Sequence, residues 1–252
     1  MVFNQYAELY NAFYEDKNYQ SEVDFVHMLI KRYCPGASKI VEFGCGTGKH
    51  AELLAHKGYS ILGIDQSKEM VAIANEKIGN TSMKNKVMFN HGDIRNFNCD
   101  QKYEVALSLF HVISYLNTNE DLLNALYTIN NSLVDGGVFI FDCWYGPAVL
   151  SIQPETRVKR VSINNKKILR VAEPKLLTRE NVVEVNYEFI IEDSEHLYSS
   201  FNEVHTMRYM FFNELEFYLK ISGFKLLHSC EFITNNELSS DTWNSCFVAI
   251  KG

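Results

Sequence analysis

VEFGCGTGKH, Val41 to His50, is the stretch that decides the fold. Ile40, Val41 and Phe43 read as the end of a buried strand, Gly44, Gly46 and Gly48 alternate with Cys45 and Thr47, and a helix is predicted over 48–57. A strand that turns into a helix through glycines brings bare backbone up to a ligand and points free N–H groups at it. The spacing narrows the ligand. A dinucleotide fingerprint requires a further glycine where Lys49 stands. A phosphate-binding loop requires Gly, four residues, then Gly-Lys and Ser or Thr, and Phe43 and His50 occupy two of those places. What remains is a glycine turn preceded by Glu42 and followed by Asp65 at the end of the next apolar run, Tyr59 to Ile64. An acid at the tip of a second strand can hold both hydroxyls of a ribose, and a ribose ligand without pyrophosphate needs fewer anion-binding donors.

Outward from this turn, apolar runs near 38–43, 59–64, 86–90, 103–109 and 137–142 read as strands, and 48–57, 67–78 and 119–133 as helices. That alternation predicts βαβ units and a parallel sheet with ligands at the C-terminal ends of the strands. Ser67 is suited to cap the second of these helices, and Asp135-Gly136-Gly137 reads as the turn into the fifth strand. Residues 1–33 carry apolar positions at helical spacing and are rich in Tyr and Phe, which either pack the segment onto the domain or lay it across a ligand as a lid.

From 155 to 210 the period becomes two: Val183, Val185, Tyr187, Phe189 and Ile191 alternate with Glu184, Asn186 and Glu188. Three or four antiparallel strands are expected there, with turns at Asn164-Asn165 and Glu180-Asn181. A helix capped by Asn213 and two strands, 224–232 and 244–250, return the chain to the core. The predicted architecture is α/β: a Rossmann-like doubly wound seven-stranded sheet with an inserted small antiparallel sheet. It forms one catalytic domain over 1–252, with a helical lid at 1–36, a core at 37–150 and 211–252, and an insert at 151–210 over the acceptor site.

Composition sets bounds. With 46% hydrophobic residues the 252-residue chain can bury a substantial core, and a formal charge of −7 without a basic run argues against a nucleic-acid partner. Six cysteines show no CxxC pair and no metal-ligand spacing, as expected of reduced thiols, and no bound metal is predicted. The start MVFNQYAELYN lacks the pattern of a signal peptide, and no apolar run approaches the ~20 residues of a membrane span, so a soluble cytoplasmic protein without a membrane partner is expected. A homodimer is compatible with the sequence.

VEFGCGTGKH, then GIDQSKEM (Gly63 to Met70), then HGDIRNF (His91 to Phe97), resembles the motif series of class I S-adenosylmethionine-dependent methyltransferases over roughly 38–145. The alternative, ordinary caps and turns, does not account for the order of the three motifs. The resemblance implies S-adenosylmethionine as cofactor. It packs the glycine turn against the methionine part, puts Asp65 at the ribose and Asp93 at the adenine amino group, and counts Glu42, Gly44, Cys45, Gly46, Gly48, His50, Gln66, Met70, Gly92 and Ile94 among the cofactor residues. Leu109 and Phe110 after the fourth strand, with Tyr14 and Tyr19 from the N-terminal segment, complete the cofactor set it implies.

Methyl transfer is an in-line displacement by a lone pair and depends chiefly on alignment. An imidazole can take up a proton near neutral pH, so His111 is expected to serve either as a proton acceptor or as a hydrogen-bonded cofactor contact. In LFHVISY, Leu109 to Tyr115, the resemblance turns Phe110 and His111 to the cofactor and Ser114 and Tyr115 to the acceptor. In EVHTMRY, alternation puts Glu203, His205, Met207 and Tyr209 on one face, either toward a pocket or toward solvent. Tyr14, His111, Tyr115 and His205 are the candidate catalytic residues. YAELYNAFY, FHVISY, DCWYGP and EVHTMRYMF together resemble the N-methyltransferases of nucleotide-linked amino sugars, with Ser114-Tyr115 replacing a frequent Gly-His and Trp144 standing where two tryptophans are common. That implies a small-molecule acceptor, the amine of a dTDP-type amino sugar. The alternatives are O- or N-methylation of another metabolite, or a non-catalytic S-adenosylmethionine-binding subunit.

Overall fold

In a computed structural model, which describes residues 6–252, the apolar runs align as parallel strands. β1 (Lys39–Phe43) pairs with β2 (Ser60–Asp65), which pairs in turn with β3 (Val87–His91). On its other side β1 pairs with β4 (Tyr103–Ser108), which pairs with β5 (Leu133–Tyr145). The late strands β10 (Phe224–Glu231) and β11 (Asn244–Lys251) complete the sheet, β11 running antiparallel between β5 and β10. The central order is therefore β3-β2-β1-β4-β5-β11-β10, seven strands, and the chain reverses direction of travel between β1 and β4. Such a reversal opens a crevice at the C-terminal strand ends.

Alternation along β1 shows why both faces are covered. Ile40 joins a core with α2 (Tyr19–Tyr33), α3 (Lys49–His56) and α4 (Lys68–Gly79), while Val41 and Phe43 join another with α5 (Asn119–Ser132) and α7 (Phe212–Ile221). Among the described residues no helix is long and apolar enough to cross a membrane.

After β5 comes α6 (Gly146–Ile152), with Pro147 in its first turn, a helix the sequence reading did not contain. Four strands follow as an antiparallel meander: β6 (Arg157–Ile163), β7 (Lys166–Leu177), β8 (Val182–Glu192) and β9 (Tyr198–Met210). Asn164, Asn165 and Asn181 take positive φ at the turns, a conformation that asparagine tolerates better than most residues. The end of β9 pairs with Trp144 and Tyr145 of β5, which fuses the meander to the main sheet.

Three local expectations need correction. The helical segment 1–33 is broken: residues 1–5 lie outside the described residues, α1 covers Tyr6–Phe13, and α2 starts afresh where the Asn18 side chain accepts the Ser21 N–H at 3.0 Å. The last helix is capped at Phe211 rather than Asn213, because Glu214 reaches back to the Phe211 N–H. β5 begins at Leu133 and carries Asp135 to Gly137 as a bulge, visible as a register shift against β4.

Candidate active site

A cavity of about 360 Å³ lies over the strand ends, within the ~300–1,000 Å³ of ligand pockets. On one side it meets the glycine turn. Gly44 has φ +75° and sits so close to Val112 that a Cβ there would lie 2.3 Å from a Val112 methyl, whereas a Cβ on Gly46 would enter open space. Gly46 therefore presents bare backbone to the cavity. The Asp65 carboxylate holds the turn, accepting the Gly46 N–H at 2.8 Å and the Ser67 N–H at 2.9 Å. Burial raises the Asp65 pKa, and these N–H groups oppose the rise. Ser67 caps α4 through the Met70 N–H, which brings Gln66 and Met70 to the cavity wall.

Beneath the turn lies a line of ionisable groups. Lys17 pairs with Glu22 at 2.8 Å, Glu22 with His50 Nε2 at 2.7 Å, and His50 Nδ1 stands 3.7 Å from Glu42. Glu42 is 1% exposed, and its Oε2 has no hydrogen-bond partner among the described residues. Burial, and then the Asp65 charge, push its carboxyl up to about 8. A carboxyl raised in the folded state stabilises below its unfolded value near ~4.3 and loses that contribution as pH rises towards 8. Without ligand, melting temperature should fall from pH 5 to 8, and Glu42→Gln should flatten the decline by about 1.4 kcal/mol per pH unit.

The third motif also reaches the cavity, through Gly92, Asp93 and Ile94. Asp93 is not idle: Arg95 takes both its carboxylate oxygens, Nε at 3.0 Å to each, and this pairing lowers the Asp93 pKa. Past β4, Leu109 is followed by Phe110 and His111, two consecutive non-glycine residues at φ +65° and +64°. Such a pair persists only where its surroundings enforce it. Asp142, at the end of β5, does so. Its carboxylate accepts the His111 N–H at 3.1 Å and lies 2.8 Å from His111 Nδ1. Burial works to raise the Asp142 pKa, but the His111 charge and hydrogen bonds outweigh it and hold the carboxyl below its ordinary value.

The other end of the cavity is aromatic: Tyr6, Tyr10 and Tyr14 from the N-terminal segment, Tyr115, Trp144 and Tyr187. Trp144 meets Trp243 edge-on at 5.6 Å, so a second tryptophan arrives from just before β11. α1 is tied across this end by Arg170, which donates to the Tyr6 hydroxyl at 2.6 Å, and by Lys159, which donates to the Phe13 carbonyl at 2.7 Å. Thr47 of the glycine turn donates to Asn11 at 2.8 Å from the opposite side.

Of the sequence candidates, Tyr14, Tyr19, Gly44, Cys45, Gly46, His50, Asp65, Gln66, Met70, Gly92, Asp93 and Ile94 line the cavity, and so do Leu109, Phe110, His111, Tyr115 and His205. Glu42 and Gly48 do not: Glu42 is buried under the turn, and Gly48 packs on the Phe89 ring while capping α3. Ser114, expected at the acceptor, is fully buried and accepts the Trp144 N–H at 3.1 Å. The sequence reading missed Lys17 and the Asp142 grip on His111. Asp142 had a signal, its place at a C-terminal strand end, and Lys17 had none.

A doubly wound sheet, a glycine turn after the first strand and an acid at the tip of the second define the S-adenosylmethionine-dependent methyltransferase fold. Residues 40–137 match the family model described as a methyltransferase domain, and the chain carries such a domain. It is 28% identical over 144 residues, 56% of its length, to a dTDP-3-amino-3,4,6-trideoxy-alpha-D-glucopyranose N,N-dimethyltransferase of Streptomyces venezuelae. It is 27% identical over 143 residues to a dTDP-3-amino-3,6-dideoxy-alpha-D-glucopyranose N,N-dimethyltransferase of Streptomyces fradiae. These matches span 58% and 54% of the two relatives. Its fold superposes at a TM-score of 0.83 on an S-adenosylmethionine-dependent methyltransferase from Clostridium acetobutylicum ATCC 824, with 22% identity and all of both chains covered.

The residues present fit that cofactor. Gly46 offers a face without side chain, and Asp65 offers acceptor oxygens at the cavity wall.

Proposed function

We propose that the chain transfers the methyl group of S-adenosylmethionine to the amine of a nucleotide-linked (dTDP-type) amino sugar. The observation that carries this reading is one cavity with two differently built ends, a glycine turn with Asp65 at one and a tyrosine-rich wall between α1 and the β6–β9 meander at the other. Gly44, Gly46, Asp65, Met70 and Asp93 would hold the cofactor. Bound there, it supplies an electrophilic methyl on a positively charged sulfur, which keeps the C–S electron pair as the amine lone pair forms the new C–N bond. The protein's task is alignment and drying. Phe110, held with His111 by Asp142, and Tyr14, 5.1 Å away ring to ring, form an aromatic wall where the two ends meet. α1 would act as a lid, and aromatic faces favour an ammonium while burial lowers its pKa. The names of the two Streptomyces relatives support the sugar.

A second reading, a small amine without phosphate, draws on a specific observation. Among the described residues the Lys and Arg side chains lining the cavity are Lys49 and Arg95, both on cofactor-end segments. A methyl-release assay across dTDP-3-amino-3,6-dideoxyglucose, free amino acids and phenols tests both. Turnover of the nucleotide sugar supports the first, turnover of the amino acids alone the second, and activity on phenols alone removes the amine acceptor.

A further inference from the structure

Tyr115, His205 and Glu203 form a hydrogen-bonded chain across the acceptor end of the cavity. Tyr115 closes the 3-10 turn Val112–Tyr115, and the other two lie on one face of β9. The Tyr115 hydroxyl is 2.8 Å from His205 Nδ1, His205 Nε2 is 3.3 Å from Glu203 Oε2, and Glu203 Oε1 accepts the Tyr6 N–H at 3.1 Å. His205 is 2% exposed, so the chain is shielded from bulk water.

Hydrogen-bond polarity follows from the groups. A carboxylate only accepts, so Nε2 carries the proton. When that imidazole is neutral its lone pair lies on Nδ1, and the Tyr115 hydroxyl donates to it. A phenol that donates one hydrogen bond retains oxygen lone pairs, and Tyr115 lines the cavity, so its oxygen suits an N–H or O–H donor rather than a carbonyl or phosphate oxygen. His111 is differently committed, since its ring and its backbone N–H both engage Asp142.

We propose that Tyr115, backed by His205 and Glu203, takes the proton that the acceptor ammonium must lose before methylation. This rests on the amine reading above. The proton passes from the acceptor nitrogen to the Tyr115 oxygen as the Tyr115 O–H proton moves to His205 Nδ1. The nitrogen keeps the bonding pair as its lone pair, the phenol is regenerated, and His205 ends as an imidazolium against the Glu203 carboxylate. No free phenolate forms. That matters because burial, and then Tyr187, Tyr14, Glu203 and Asp65, hold the Tyr115 phenol well above its ordinary pKa. Among the described residues the titratable groups facing the relay are these and Tyr6, whose ring lies 6.1 Å from that of His205, with Tyr187 at 4.8 Å. The Tyr6 N–H on Glu203 also means that the far end of the relay is completed by α1.

The test compares wild type with Tyr115→Phe and His205→Gln on whichever amine of the panel turns over. Each variant should lose ~10²-fold in kcat, with KM nearly unchanged and S-adenosylmethionine affinity by calorimetry intact as a check on folding. The deficit should shrink about tenfold per pH unit towards the pKa of the acceptor amine, where solvent supplies the free base. A loss below about threefold, a loss confined to KM, or a deficit equal at every pH overturns the relay. A second readout needs no acceptor. Nitrogen NMR of histidine-labelled protein should show His205 neutral and protonated on Nε2, with its Nδ1 resonance displaced in Tyr115→Phe. A proton on Nδ1 overturns the relay. Absence of turnover on every amine, by contrast, overturns the amine reading and leaves the NMR result to decide the relay.

Discussion

Asp65→Ala is expected to lower the affinity for S-adenosylmethionine at least about 100-fold, measured by calorimetry. The carboxylate has two tasks. Its oxygens hold the Gly46 and Ser67 N–H groups, and in the proposed complex they also accept the ribose hydroxyls. Hydrogen bonds to a charged group contribute ~1.5–3 kcal/mol each. Losing two of them at the ligand corresponds to about 100-fold or more, since ~1.4 kcal/mol is tenfold. The orphaned backbone donors add a stability cost of ~1–3 kcal/mol each, so binding is measured well below the melting temperature. Asp65→Asn, which keeps one carbonyl acceptor, should lie between the two. Wild-type affinity in Asp65→Ala would mean that the cofactor does not lie over the second strand.

Asp142→Asn should cost about 3 kcal/mol of stability, because one buried carboxylate, 1% exposed, serves both the ring and the backbone of His111. An amide keeps one acceptor oxygen for the backbone N–H but has no charge to set against the ring. Phe110 and His111 would then relax from their left-handed conformation, and a displaced Phe110–His111 wall should lower kcat by at least about tenfold. The Asp142 pKa is depressed in the fold, so its contribution is present above the ordinary value near ~3.9 and is lost as pH falls through the depressed one. The stability gap between wild type and Asp142→Asn should thus close as pH falls below about 4. In a His111→Ala background the same substitution should cost less, and additive losses would contradict the coupling.

The cofactor half of the site was legible because its geometry is local. A strand, three glycines and a helix start occupy ten consecutive residues, and Asp65 stands at the next strand end, so order and spacing sufficed. The acceptor half depends on long-range register. Tyr115 meets His205 across 90 residues and Arg170 meets Tyr6 across 164. Alternation put His205 and Glu203 on one face, but which way that face turned depended on how β9 joined β5 at Trp144 and Tyr145. Gly48 misled for a physical reason: it belongs to the glycine series, yet its positive φ serves the start of α3 and the close approach of Phe89. The break between α1 and α2 was written in Asn18, a capping residue hidden inside an aromatic helical pattern.

The most direct test is to supply S-adenosylmethionine labelled with carbon-13 on its methyl, together with dTDP-3-amino-3,6-dideoxyglucose, and to follow the label by NMR. The account predicts that the label appears as an N-methyl resonance on the sugar, dependent on Asp65. Label that stays on the cofactor, or that emerges only as an O-methyl resonance, would contradict it.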